Sequence, residues 1–323
     1  MHEEILGLHH LTAIAGQPQA NIDFYAGILG LRLVKLTVNF DDPTTYHLYY
    51  GDGQGHPGTI LTFFPWPGAP PGRIGTGQVT MASLAVPEKA LEYWKERFQE
   101  HYIEYKQSHS AFDERILLFS DSDRLPLELV ESPDANPERA WSQGPVPRES
   151  AIRGFHHVTL SEEGYERTAG LLTETMGFRL IQSKGNQFRY AASSGGTGTL
   201  VDLVCTPAGQ AGRLGVGTVH HVAWRTPTDE QQRQWRATLS SRQYNVTPVI
   251  DRKYFHSIYF REPGGVLFEI ATDPPGFAVD ESADQLGSHL VLPAWLEPSR
   301  AELERVLPKV RVPGQEKRAE HHA

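Results

Sequence analysis

The chain has almost no cysteine, no long apolar run and no surplus of positive charge. Among its 323 residues Cys205 is the single cysteine, so neither an internal disulfide nor a cysteine-built zinc site is available, and the composition suits a reducing cytoplasm. No apolar stretch reaches the roughly 18 residues that a membrane-spanning helix requires. The opening residues, Met1 to Leu8, carry two acids and no signal-peptide pattern. Lys and Arg number 30 against 39 Asp and Glu, a formal charge of -9 with no basic stripe, which argues against nucleic acid or an anionic membrane as the main partner. What the chain does have is histidine: 15 residues, several in adjacent pairs. A soluble enzyme built around a metal is the class these numbers favour.

The sequence repeats itself. Gly7-Leu8-His9-His10-Leu11-Thr12 returns as Gly154-Phe155-His156-His157-Val158-Thr159, and each copy is followed at the same interval by Gly-x-Arg-Leu, at Gly30 and at Gly177. The stretch from Gly75 (GTGQVTMASLAVP) matches that from Gly215 (GVGTVHHVAWRTP), and Glu128 falls in register with Glu269. Residues 1–132 and 152–275 therefore read as duplicated domains, joined by a Pro-rich linker over 133–151 and followed by a tail from 276 to 323. Each half divides again into two units of one plan. A short strand leads into a helix, such as Asn21 to Leu29 with its Ile22, Tyr25 and Leu29 stripe, and three further strands follow. The predicted fold is α+β: four tandem βαβββ modules forming cupped mixed sheets with helices outside. In the tail, Asp280 to Gln285 is acidic, Leu290 to Trp295 apolar, and Ser299 to Val306 a short charged helix. It reads as packing or homodimer contact, with His321 and His322 at a frayed end.

Strand alternation then sorts the histidines, since successive side chains point to opposite faces and only one of each pair should look into the cup. On that rule His221 faces in with Ala223, while His220 faces away. Glu269 is a carboxylate inside an apolar strand, where burial without a partner would cost several kcal/mol or force it neutral. A cation beside it removes the cost; a neutral hydrogen-bonded acid is the alternative. The comparable inward positions are His157, Asp202, His221 and Glu269 in the second half, and His10, Thr62, Met81 and Glu128 in the first. Having Met81 and Thr62 there, the first half cannot hold a complete metal site alone. His221 and Glu269 are thus the firm ligands, with His10 and His157 both open as the third. Two His and one carboxylate on one face of a divalent ion leave positions for substrate and O₂, the arrangement of non-haem Fe(II) enzymes. No HExxH helix suggests hydrolytic zinc.

With GLHHLT at Gly7, TYHLYYGD at Thr45, GTVHHVAW at Gly217 and DRKYFHSIYFREPGGVLFEIATD at Asp251, nearly the whole chain resembles the vicinal-oxygen-chelate (glyoxalase and extradiol dioxygenase) superfamily. Within it, the likeness is to ring-cleaving hydroquinone dioxygenases of the MhqO and chlorohydroquinone dioxygenase type. That resemblance implies an Fe(II) or Mn(II) site pairing the first unit with the fourth, carried by His10, His221 and Glu269. Two-domain catechol dioxygenases would use His157 instead of His10. It also implies Tyr259, Arg252 and His220 near a small aromatic substrate that reacts with O₂. A plain four-residue loop would pair Ile258, not Tyr259, with Glu269; a bulge at Gly264-Gly265 would bring Tyr259 opposite. The rival readings are a glyoxalase-like lyase or isomerase, needing a second carboxylate from Asp202 or Glu128, and a non-catalytic aromatic-binding module.

Overall fold

The structure, a computed structural model, describes residues 4–312; the terminal His321 and His322 lie outside them. Four strands form each repeat unit. The first has β1 (Leu8–Ala15), β2 (Arg32–Asn39), β3 (Asp42–Gly51) and β4 (Ile60–Pro65). The second has β5 (Gln78–Val86), β6 (Tyr105–His109), β7 (Arg115–Ser120) and β8 (Pro126–Glu131). The third has β9 (Phe155–Glu162), β10 (Arg179–Lys184), β11 (Gln187–Ala191) and β12 (Leu200–Cys205). The fourth has β13 (Thr218–Thr226), β14 (Ile250–Asp251), β15 (Phe255–Arg261) and β16 (Leu267–Pro275).

These sixteen strands make two eight-stranded mixed sheets, ordered β14-β15-β16-β13-β1-β4-β3-β2 and β10-β11-β12-β9-β5-β8-β7-β6. Each sheet therefore takes one unit from each half of the sequence. The first joins units four and one through antiparallel β13 and β1; the second joins units two and three through β5 and β9. The helix of each unit packs its apolar stripe on a sheet. The helix Asp229–Ser241 starts where the Thr228 hydroxyl accepts from the Gln231 amide, carries Asp229 and Glu230 in its first turn, and buries Trp235 and Leu239. The predicted helix at Asn21 is α-helical over Pro18–Ile22 and widens to a π-turn over Asp23–Ile28, so that Phe24 is buried along with Ile22, Tyr25 and Leu29. Gly30 and Gly177 follow their helices at φ 70° and 77°, as a helix C-cap requires. No helix among the described residues is long and apolar enough to cross a membrane.

One feature of the sheets departs from simple alternation. On β1, His9 is an extra residue between the pairs Leu8–Trp224 and His10–Ala223. On β13, His220 is extra between Thr12–His221 and Ala13–Val219. The β5–β9 pair has the same two irregularities, at Thr80 and His156. Such bulges re-aim side chains. The expectation that His220 faces away from the cup is corrected accordingly: it lines the same cavity as His221.

The tail covers β2. Leu290 bridges to Leu36, while Phe277, Leu286 and Leu292 are buried. Lys35 is fully buried, and its ammonium donates to Asp280 at 2.6 Å and to Glu281. The helix expected from Ser299 runs over Arg300–Val306 after a 3₁₀ turn.

Candidate metal centre

His10 on β1, His221 on β13 and Glu269 on β16 meet at the floor of the first cup. These are adjacent strands, with His10 opposite Ala223 and Ala223 beside Glu269. The His221 and His10 Nε2 atoms stand 2.9 and 3.3 Å from Glu269 Oε2, and 3.2 Å from each other. All three residues are buried. Among the described residues this is the one group of three that brings its ligand atoms within 4.8 Å. His157 lies in the other sheet, away from His221.

The hydrogen-bond partners around the three ligand atoms fix where most of the protons sit. His9 Nε2 sits 3.1 Å from the Thr272 carbonyl, which can only accept, so a neutral His9 carries its proton on Nε2. Its Nδ1 is then an acceptor, and His10 Nδ1, 2.9 Å away, must be the donor. The neutral form of His10 then has a bare Nε2, 3.3 Å from a carboxylate oxygen and 3.2 Å from His221 Nε2. Ser257 donates to the other oxygen of Glu269 at 2.5 Å, while Oε2 receives no hydrogen bond. Two lone-pair donors facing each other in a buried site repel unless a proton or a cation stands between them, and imidazole nitrogen with carboxylate oxygen suits Fe(II), Mn(II) or Zn(II) as that cation. Burial alone would raise the Glu269 pKa. Positive charge on the imidazole side, with N–H donation from His10 and His221, outweighs it and holds the acid well below the usual carboxylate range, as a bound cation would. At His221 burial dominates and lowers the pKa, favouring the neutral form that a ligand needs.

A cavity of about 400 Å³ opens above this floor. Phe40, Phe64, Trp66, Phe255 and Tyr49 give it aromatic walls, which fits a flat apolar ring. Arg252, Tyr259 and His220 all line it as well. Tyr259 stands directly opposite Glu269, because Pro263-Gly264-Gly265 makes a three-residue turn with Gly265 at φ 108°. Arg252 Nε lies 3.3 Å from the Tyr259 oxygen and its Nη1 is paired with Asp41 at 2.9 Å. The guanidinium occupies an acceptor lone pair of the phenol and leaves the phenolic proton free to donate. Burial, and then the charge of Glu269, raise the Tyr259 pKa, so it remains a donor at neutral pH. His220 Nδ1 is 2.8 Å from His221 Nδ1, and burial lowers its pKa to about 3. Sequence reasoning passed over His47 and Thr12, which also line the cavity; His47 lies in the TYHLYYGD stretch.

The sequence pattern of the Glyoxalase/Bleomycin resistance protein/Dioxygenase superfamily matches residues 7–137 and 154–270, the two halves of the repeat. The chain belongs to that superfamily. It is 49% identical to MhqO of Bacillus subtilis (strain 168), provisionally named a ring-cleaving dioxygenase, over 95% of this chain and 97% of that one. It is 34% identical to the chlorohydroquinone/hydroquinone 1,2-dioxygenase of Sphingobium indicum, over 94% and 97%. The crystal structure of a provisionally named dioxygenase from B. subtilis superimposes with a TM-score of 0.91 at 48% identity, covering 96% of this chain and 99% of that one.

Proposed function

We propose that the protein is a non-haem, metal-dependent ring-cleaving dioxygenase that inserts O₂ into a hydroquinone- or catechol-like ring. The observation that carries this reading is the bare His10 Nε2 turned on the unprotonated Oε2 of Glu269 beneath an aromatic cavity. His10, His221 and Glu269 would hold Fe(II), with Mn(II) the second choice. The ion would supply Lewis-acid binding of a ring oxygen and activation of O₂ at its open positions.

The chain's own residues do the rest. Phe64, Phe255 and Trp66 grip the ring and keep bulk water away. Tyr259, its oxygen capped by Arg252, donates its proton toward a ring oxygen and stands ready as an acid when the ring opens. His220 adds a second polar side chain to the cavity wall. The name of the Sphingobium relative specifies a 1,2 bond. In hydroquinone, whose hydroxyls stand at 1 and 4, that bond joins a hydroxylated carbon to an unhydroxylated neighbour. Cleavage beside a hydroxylated carbon, the extradiol sense, is the course proposed here. A glyoxalase-like lyase would need a second carboxylate ligand, but Asp202 and Glu128 belong to the other sheet.

The test is oxygen uptake. Protein loaded with Fe(II) without air is given hydroquinone and then O₂; consumption of one O₂ per ring, abolished by a chelator, is the expected result. Turnover of a hemithioacetal without O₂, or ring binding that ignores chelation, overturns it.

A further inference from the structure

Across the cup from Arg252 and Tyr259, four polar side chains form an unbroken line. His47 and Tyr49 are alternate residues of β3, Thr62 stands opposite Tyr49 on β4, and Thr12 stands opposite Thr62 on β1. Thr12 is two residues beyond His10, hence on the same face. The Tyr49 oxygen is 2.8 Å from His47 Nδ1, His47 Nε2 is 2.9 Å from the Thr62 hydroxyl, and that hydroxyl is 2.8 Å from the hydroxyl of Thr12. The imidazole packs against Tyr49, at 3.9 Å, and Phe64, at 4.4 Å between ring centres, tilted by 31° and 45° to them.

The line has a direction. Burial, reinforced by the nearby His10 and His221, keeps His47 neutral, so it has one donor and one acceptor nitrogen. Among the described residues the buried Tyr49 phenol has no acceptor other than His47 Nδ1. A phenol proton left without an acceptor would be costly, so Tyr49 donates to Nδ1. Nε2–H then donates to Thr62, and Thr62 gives its single proton to Thr12. The one proton left over is that of Thr12, which lines the cavity. The equivalent positions of the second sheet carry no such line: there Arg189 on β11 stands opposite Asp202 on β12 and donates to it twice, at 2.7 and 2.8 Å.

We propose that Tyr49, His47 and Thr62 are positioning residues that present the Thr12 hydroxyl as a fixed hydrogen-bond donor to an oxygen of the bound ring, selecting rings that carry oxygen beside β1. The selectivity rests on the ring-cleaving reading; the direction of the line does not.

Two measurements test it. In metal-free protein with ¹⁵N-labelled histidine, the His47 signal (assigned with His47→Gln) should report a proton on Nε2 and none on Nδ1. In Tyr49→Phe that preference should be lost. A wild-type His47 protonated on Nδ1 overturns the direction. Dissociation constants for hydroquinone are then measured without O₂ on Mn(II)-loaded protein. Tyr49→Phe and Thr12→Val should each weaken binding by about three- to tenfold, the range for one hydrogen bond. The double variant should be no weaker than Thr12→Val alone, because both act through one donor. Additive losses, or no effect of Tyr49→Phe, overturn the selectivity. So does a wild-type protein that binds no hydroquinone, which also sinks the dioxygenase reading and leaves the histidine spectrum as the separate test of the line itself.

Discussion

Glu269 and Glu128 occupy equivalent strands of the two sheets, and each faces a histidine from the first strand of its partner unit, yet their surroundings are opposite. Glu269 has two imidazoles against one oxygen and a serine on the other. Glu128 accepts from Ser83 at 2.6 Å and lies 3.3 Å from His157 Nε2. That imidazole is also 3.3 Å from Asp202. Where the first cup has His221, the second has Met81, and where the first has Tyr49 and Thr62, the second has the bidentate Arg189–Asp202 pair. Arg189 also donates to Glu114. Strand pairing and both bulges are shared. In the second cup a guanidinium is paired with the carboxylates themselves, while in the first Arg252 pairs with Tyr259 and Asp41 and leaves the converged donor set to itself. On the proposed function, a few side chains on one backbone plan decide which cup is built to take a metal.

The largest expected effect breaks the comparison at the carboxylates. Glu269→Gln should cut oxygen uptake by more than the roughly 10–100-fold that loss of an outer-shell partner costs. Glu128→Gln should leave the rate within about threefold, since it removes nothing from the first cup. Next come the positions that differ most. Arg189 is 2% exposed, so Arg189→Met strands Asp202 and Glu114 and should destabilise the metal-free protein by about 3–5 kcal/mol in urea unfolding. Tyr49→Phe, its counterpart, forfeits one hydrogen bond and should cost about 1 kcal/mol.

A further difference lies in the pH dependence. Burial, opposed by the Ser83 hydrogen bond, raises the Glu128 pKa to about 7. A carboxyl that keeps its proton in the folded state while the unfolded chain has released it weakens folding as pH rises. The loss should accumulate between about pH 4.5 and 7 and level off above. Glu128→Gln should flatten that part of the profile and be more stable than the wild type above pH 7, by about 1–3 kcal/mol. A variant whose profile parallels the wild type would contradict the raised pKa.

Much of this was legible in the residues. The duplicated register exposed the four units and singled out His221 and Glu269, because a lone acid in an apolar strand needs a partner whatever the fold. The choice between His10 and His157 was not legible from the residues alone. Both sit second in an HH pair at the same point of their unit, and what separates them is which first strand lies against β13. Alternation also misjudged His220, because a bulge belongs to the pairing of two strands and leaves no mark on either sequence. The Tyr259 register was recoverable from Gly264-Gly265, since Gly265 at φ 108° tightens the turn. His47 escaped notice among the aromatic residues of β3, since its role depends on register across three strands.

The proposed contrast between the two cups turns on which of them binds metal. Metal content should be measured on wild type, His10→Ala and His157→Ala after loading with Fe(II) in the absence of air, with folding checked by circular dichroism. One equivalent in wild type and in His157→Ala, and none in folded His10→Ala, is the result predicted. Metal retained by His10→Ala and lost from His157→Ala would contradict it.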